Sequence, residues 1–293
     1  MTRRALLPLV FLALAACSQS NTPPAQAPAA AATAAATQPA SADEPASTPS
    51  AATTSAGAPA AASTAAGSVD AAADAAATKA LAGANSPDGL VEGRDFEVVK
   101  DPQPWKPLNG KIEIVEVFGY VCPACAAFDP LVSAWKAKLP SDVRFSYVPA
   151  PFGPEWNPYA KAFYVSEAMG LVDKTHSALI HEIHVTQTMP GEGDKPDEQK
   201  IADFYGKYGA NPKEFLSTMN SFSVAGQVNR GRQFMMKVGA NSTPTLVVNG
   251  KYRVVGNSFE DMLRIASQLI ARERAGGTAA SAPAAATTAP SKG

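Results

Sequence analysis

No aromatic residue stands between Phe11 and Phe96, and none follows Phe259. Large rings supply much of the apolar area that closes a soluble core, so their absence limits where this 293-residue chain can fold. Residues 18–88 contain 30 alanines in 71 positions, with Pro, Ser and Thr filling most of the rest. Such a stretch cannot bury enough apolar surface to offset its ordering entropy, so it is expected to be disordered, with transient helix in pieces such as Ala71–Ala82. Residues 89–274 are then the folding unit, a comfortable size for one cored domain. That unit carries 21 Lys/Arg and 21 Asp/Glu, so its formal charge is zero. It has no basic field with which to hold nucleic acid. A collagen-like repeat, a coiled coil and a polytopic membrane protein are excluded by pattern.

Arg3 and Arg4 precede the apolar run Ala5–Ala16, which ends in small residues. This reads as an export signal over residues 1–16, too short to remain as a membrane-spanning helix. Leu14-Ala15-Ala16-Cys17 resembles the lipobox of bacterial lipoproteins, which makes Cys17 the expected lipid anchor to a bilayer; cleavage to a soluble periplasmic form is the alternative. Ser18, in place of an aspartate, favours the outer membrane under the rule for that family. Residues 17–88 then form a low-complexity linker, and a flexible coil of that length reaches roughly 45–50 Å. Residues 275–293 form a second disordered tail.

Within the folding unit, Asp95–Lys100 and the Ile/Val-rich Lys111–Gly119 are expected strands, the latter interior. A helix from about Pro123 to Lys138 follows, then a strand over Val143–Val148. From about 155 to 238 the spacing becomes helical, with Tyr159, Phe163 and Tyr164, then Ala178, Leu179 and Ile183; further helices fit 197–208, 211–220 and 222–238. Thr245–Val248 and Tyr252–Val255 flank Asn249-Gly250, a strong hairpin signal. Ser258 caps a final helix ending near Arg274. The order is that of an α/β sandwich with an inserted all-helical domain, flanked by disordered Ala/Pro/Ser/Thr-rich segments.

Besides Cys17 there are two cysteines, Cys122 and Cys125, separated by Pro123-Ala124. A lone C-x-x-C can be half a zinc site, an inert disulfide or a redox dithiol. No second pair completes a zinc site, and so small a loop restrains little unfolded-chain entropy. The redox reading has more support, because a strand runs into Cys122 and Pro123 suits the first position of a helix. Unpaired N–H groups and the macrodipole at a helix start stabilise a thiolate. Residues i and i+3 in a first turn place their Cα atoms about 5 Å apart, within disulfide range. Cys122 is expected to be the exposed nucleophile and Cys125 the more buried partner.

Glu116-Val117-Phe118-Gly119-Tyr120-Val121-Cys122-Pro123-Ala124-Cys125 resembles the active-site strand and helix of the DsbA family of thiol oxidases. The resemblance covers about residues 90–272 and includes Glu92–Phe96, Thr243-Pro244-Thr245 and Val248–Tyr252. It implies a thioredoxin-like fold with a helical insertion and a Cys122–Cys125 redox disulfide. It also implies a cis Thr243–Pro244 bond that presents Thr243 and Pro244 to an extended substrate. Glu116, on the buried face with Ile112, Ile114 and Phe118, becomes a proton relay for Cys125; a salt-bridged or strand-edge glutamate is the alternative. The implied partners are reduced exported proteins and a membrane reoxidant of the DsbB type, with no cofactor. Ala124 replaces the histidine of the best-known member, which predicts a weaker oxidant. Tyr147 stands near the place of a lysine that partners the buried acid.

His176, His181 and His184 lie on one expected helix, but nothing nearby completes a metal site. A disulfide isomerase or reductase of the same fold, and a redox-silent tethered peptide-binding or chaperone module, are the competing functions.

Overall fold

The computed structural model describes residues 61–82 and 89–281. Its centre is strand β2, Ile112–Phe118, whose seven residues are all buried. Such a strand needs cover on both faces, and its Ile/Val content suits that position. β2 runs parallel to β3, Val143–Pro149, and antiparallel to β4, Thr245–Val248. β4 turns back into β5, Tyr252–Val254, and β1, Phe96–Val98, closes the far edge in the order β1-β5-β4-β2-β3. Asn249 and Gly250, both at positive φ (52° and 63°), are the central pair of a tight turn that the Lys251 N–H closes onto the Val248 carbonyl. A side chain at Gly250 would also run into the Gln103 carbonyl.

Helix α2, Pro123–Lys136, and helix α8, Phe259–Ser281, cover one face. Phe128, Val132 and Trp135 of α2 pack there with Ile114, Leu263, Ala266 and Ile270. The buried Trp135 indole donates to Ser267 Oγ at 3.0 Å. Between β3 and β4 the chain inserts α3 (Trp156–Ala168), α4 (Val172–His184), α5 (Glu198–Gly206), α6 (Pro212–Met219) and α7 (Phe222–Val238). Side chains of Asp197, Asn211 and Ser221 cap three of these helices. Phe163, Leu179, Ile201 and Phe215 bring the insertion onto Val115 and Val117 in a second core. Trp156, Tyr159, Phe163 and Tyr164 are all buried there.

Two boundaries differ from the sequence expectation. Residues Ala61–Ala82 form a 22-residue helix, α1, within the stretch expected to be coil. Ala73, Ala77 and Ala80 are buried, α1 lies against α2 and α8, and Asp74 Oδ1 meets Lys138 Nζ at 2.7 Å. Alanines at i, i+4 and i+7 let two backbones approach closely, and that tertiary contact supplies what an isolated alanine helix lacks in water. Helix α8 likewise continues to Ser281, past the end expected near Arg274. The export signal, Cys17 and most of both flanks lie outside the described residues. Among the described residues no helix is long and apolar enough to cross a membrane.

Candidate active site

The turn Gly119-Tyr120-Val121 carries β2 into α2. Only glycine fits at 119, because a methyl group there would overlap the Trp156 ring of the insertion. Cys122 is the N-cap of α2, with an extended backbone (φ −80°, ψ 118°), and Pro123 is the first helical residue. Both cysteines are free thiols. The Cys125 backbone N–H donates to Cys122 Sγ at 3.4 Å, and Cys122 Sγ lies 3.6 Å from the Thr243 carbonyl oxygen. The Thr243–Pro244 bond is cis. The tertiary fold thus brings Cys122, Cys125, Thr243 and Pro244 together across about 120 residues of sequence.

One expectation is corrected. Cys122 is only 6 % exposed, against 2 % for Cys125, because the loop ahead of β4 lies over the sulfur. Cys125 is still the more buried of the two, and hydrogen bonds and charge widen the difference between the thiols. A hydrogen bond with Cys125, helped by Thr243 and by backbone N–H groups of Cys125 and Ala124, outweighs burial and brings the Cys122 thiol down to about 6. The hydrogen bond to Cys122, then burial and the nearby Glu116 carboxylate, drive Cys125 far above the ordinary thiol range.

Glu116 is 2 % exposed, and among the described residues its Oε2 has no hydrogen-bond partner. Burial, reinforced by the negative charge of Asp129 and opposed by Lys136, pushes its carboxyl well above the usual range. Tyr147 stands directly opposite Glu116 in the β2–β3 register. The nearest compensating cation comes instead from α2, where Lys136 Nζ lies 5.1 Å from the Tyr147 ring centroid and 3.1 Å from Asp173 Oδ1.

Reading the sequence missed three members of the buried cluster around this acid and Tyr147. Asp129, one turn beyond Cys125 on the same face of α2, is a buried carboxylate that accepts from Ser133 Oγ at 3.3 Å. Its i+4 spacing from Cys125 was a legible signal. Lys136 lies two further turns along the same helix, whereas His176 carried no signal, since only the packing of α4 on α2 brings it near Asp129. The three histidines of α4 part company: His181 is exposed, and His184 donates from Nε2 to the Tyr120 carbonyl at 2.8 Å. His176 is buried with its ring stacked on Tyr147.

Clefts lie on both sides. One of about 520 Å³ is lined by Val121, Pro123, His184 and Met189. An apolar one of about 600 Å³, with Phe152, Met235 and Met236 in its wall, reaches Asn241, two residues before Thr243.

The sequence matches the thioredoxin family over residues 108–266. The thiol:disulfide interchange protein DsbA of Pseudomonas aeruginosa PAO1 is 38 % identical over 191 residues, which are 64 % of this chain and 88 % of that protein. The protein of the same name from Pseudomonas syringae pv. tomato is 39 % identical over 176 residues, 59 % of this chain and 80 % of its own length. Among solved structures, the oxidoreductase DsbA of Xylella fastidiosa superposes with a TM-score of 0.61 at 42 % identity, covering 64 % of this chain and 98 % of that one. Pseudomonas aeruginosa DsbA gives 0.58 at 36 % identity, over 64 % and 97 %. With a strand delivering a C-x-x-C to a helix N-terminus beneath a cis-proline loop, and with these likenesses, the chain belongs to the DsbA family of thioredoxin-fold thiol:disulfide oxidoreductases.

Proposed function

We propose that this enzyme faces the periplasm and introduces disulfides into exported proteins through Cys122 and Cys125. A substrate thiolate attacks Cys122 Sγ of the oxidised pair, and the Cys122–Cys125 bond breaks with Cys125 leaving as a thiolate that takes a proton from Glu116. A second substrate thiolate attacks the substrate sulfur of the mixed disulfide. Cys122 leaves as a thiolate, the substrate is oxidised and the enzyme is reduced. Thr243 and Pro244 hold the extended substrate, and a DsbB-type membrane protein takes the two electrons away. Cys17 carries the lipid that ties the 17–88 linker to a membrane, the outer one favoured by Ser18, with 89–274 as the catalytic domain. An unmodified Cys17 in the mature chain, found by mass spectrometry, removes the anchor.

The observation that carries the oxidase reading is the asymmetry of the two sulfurs. Cys122 holds negative charge at neutral pH and is the better leaving group, whereas Cys125 does not. A stabilised Cys122 thiolate favours the reduced enzyme, hence an oxidising disulfide. Refolding of a reduced, disulfide-requiring protein tests it. Oxidised enzyme restores activity stoichiometrically, and Cys122→Ser restores none. Equal yields with the two proteins favour a peptide-binding module instead, and rescue of scrambled substrate without oxidant favours an isomerase.

A further inference from the structure

The two clefts beside the active-site turn differ in charge. The apolar one lies along the C-terminal end of α7, where Arg232, Met235 and Met236 stand three and four residues apart and so share one face. Phe152 closes it from the loop between β3 and α3, its ring centroid 5.2 Å from that of Trp156, the side chain that fills the space above Gly119. Phe152 is 47 % and Met236 68 % exposed, so the wall offers apolar area that a bound side chain could cover. Helix α7 ends at Gly239, and the chain then passes the cleft at Ala240 and Asn241 on its way to Thr243. The Thr243 carbonyl is 3.6 Å from Cys122 Sγ, so a peptide bonded to that sulfur and extended along residues 241–243 is led toward this cleft. Arg232 is the one charged residue of the lining, and among the described residues it has no carboxylate partner. The cleft beyond Val121 and Pro123 carries Glu192 and Asp194 instead.

We propose that Arg232 is a specificity-determining residue: the α7 cleft takes a large apolar side chain next to the substrate cysteine, and the guanidinium pairs with an acidic residue one position further on. The inference rests on the oxidase reading above and names the class of exported segment that the site favours, one that is apolar and acidic on a single side of its cysteine. A carboxylate on the other side meets Glu192 and Asp194 and is repelled. The site therefore reads the order of residues around the cysteine as well as their composition. Charges at the rim of a binding surface act mainly on encounter and are screened by salt, which gives the preference a signature that apolar contact alone lacks.

Two reduced peptides of one composition test it, the first with Asp-Leu before its cysteine and the second with Leu-Asp after it, the remaining residues being serine. In single-turnover oxidation by the full-length oxidised protein at low ionic strength, one of the two is expected to react about fivefold faster than the other. That ratio falls in about 0.5 M salt, and it shrinks when Asn replaces Asp in both peptides. Arg232→Glu brings it to about one or below, and Arg232→Gln, which removes the charge without reversing it, gives an intermediate value. Equal wild-type rates on the two peptides overturn the proposal, as does a ratio that salt leaves in place or that Arg232→Glu and Arg232→Gln do not change. Arg232 is exposed on its helix, so both variants are expected to fold. Failure of wild type to oxidise either peptide refutes the oxidase reading itself, whereas oxidation of both at one rate refutes only this preference.

Discussion

Titrated by its ultraviolet thiolate absorbance, the reduced protein is expected to show one step near pH 6 from Cys122 and none from Cys125 through pH 10. Cys122→Ser removes the step. At pH 7 Cys122 is then about 90 % ionised, against about 3 % for a free cysteine. A thiolate of lower basicity is also a weaker nucleophile, by about tenfold for a shift of this size, so at pH 7 only about a two- to threefold advantage remains in alkylation. At pH 5 they do not, and Cys122 is expected to react about 20-fold faster than a free thiol of equal access. The same ionisation sets the stability of the reduced form. A thiol with a lower pKa folded than unfolded adds stability that is fully present above the unfolded value near 9 and is lost as pH falls through about 6. Between those limits the reduced protein gains at most about 1.4 kcal/mol per pH unit. A Cys122 that ionises near 8.5, with flat reduced-state stability from pH 6 to 9, contradicts the site described above.

The second large effect lies on the opposite face of β2. Glu113 is 0 % exposed and fully engaged. Its carboxylate accepts from the Trp105 N–H at 2.7 Å, the Lys106 N–H at 3.1 Å and the Arg144 guanidinium at 2.8 Å. Glu113→Ala leaves two N–H groups without their acceptor and a largely buried Arg144 with only the Pro107 and Lys106 carbonyls and no countercharge, which costs about 3–5 kcal/mol. For a domain of this size that lowers Tm by roughly 10 °C. Glu116→Gln, on the same strand, replaces a carboxyl whose charged form burial already disfavours, so its melting temperature is expected to stay within a few degrees of wild type. Thermal melts of the two variants side by side decide the matter: equal losses mean that the two carboxylates have been assigned the wrong roles.

The contrast between these acids marks how far the residues alone could be read. The Cys122–Cys125 spacing, Pro123 at the helix start and the Asn249-Gly250 turn are local, since each depends on backbone geometry within four residues. The order of strands and the helical insertion were legible for the same reason, through periodicity. What lay beyond reach was long-range. The sequence places Glu113 and Glu116 three residues apart on an apolar strand, and therefore on opposite faces, but it does not say which face offers donors. Arg144 and the Trp105–Lys106 backbone meet one carboxylate; the charges of Asp129, Lys136 and Cys122 bear on the other.

The alanine stretch makes the same point from the other side. Composition argued for coil up to residue 88, because alanine alone brings too little apolar area to fold. Docking against α2 and α8 turned Ala61–Ala82 into a helix, since small side chains that bury little in isolation allow close backbone packing once a surface is supplied. By itself, then, the sequence determined the secondary elements and the pair of sulfurs, because those follow from local sterics and hydrogen-bond geometry. Tertiary structure alone decided which buried charge is paired, which thiol ionises and where the alanine helix rests, because electrostatic and packing energies depend on neighbours that the chain brings together only by folding.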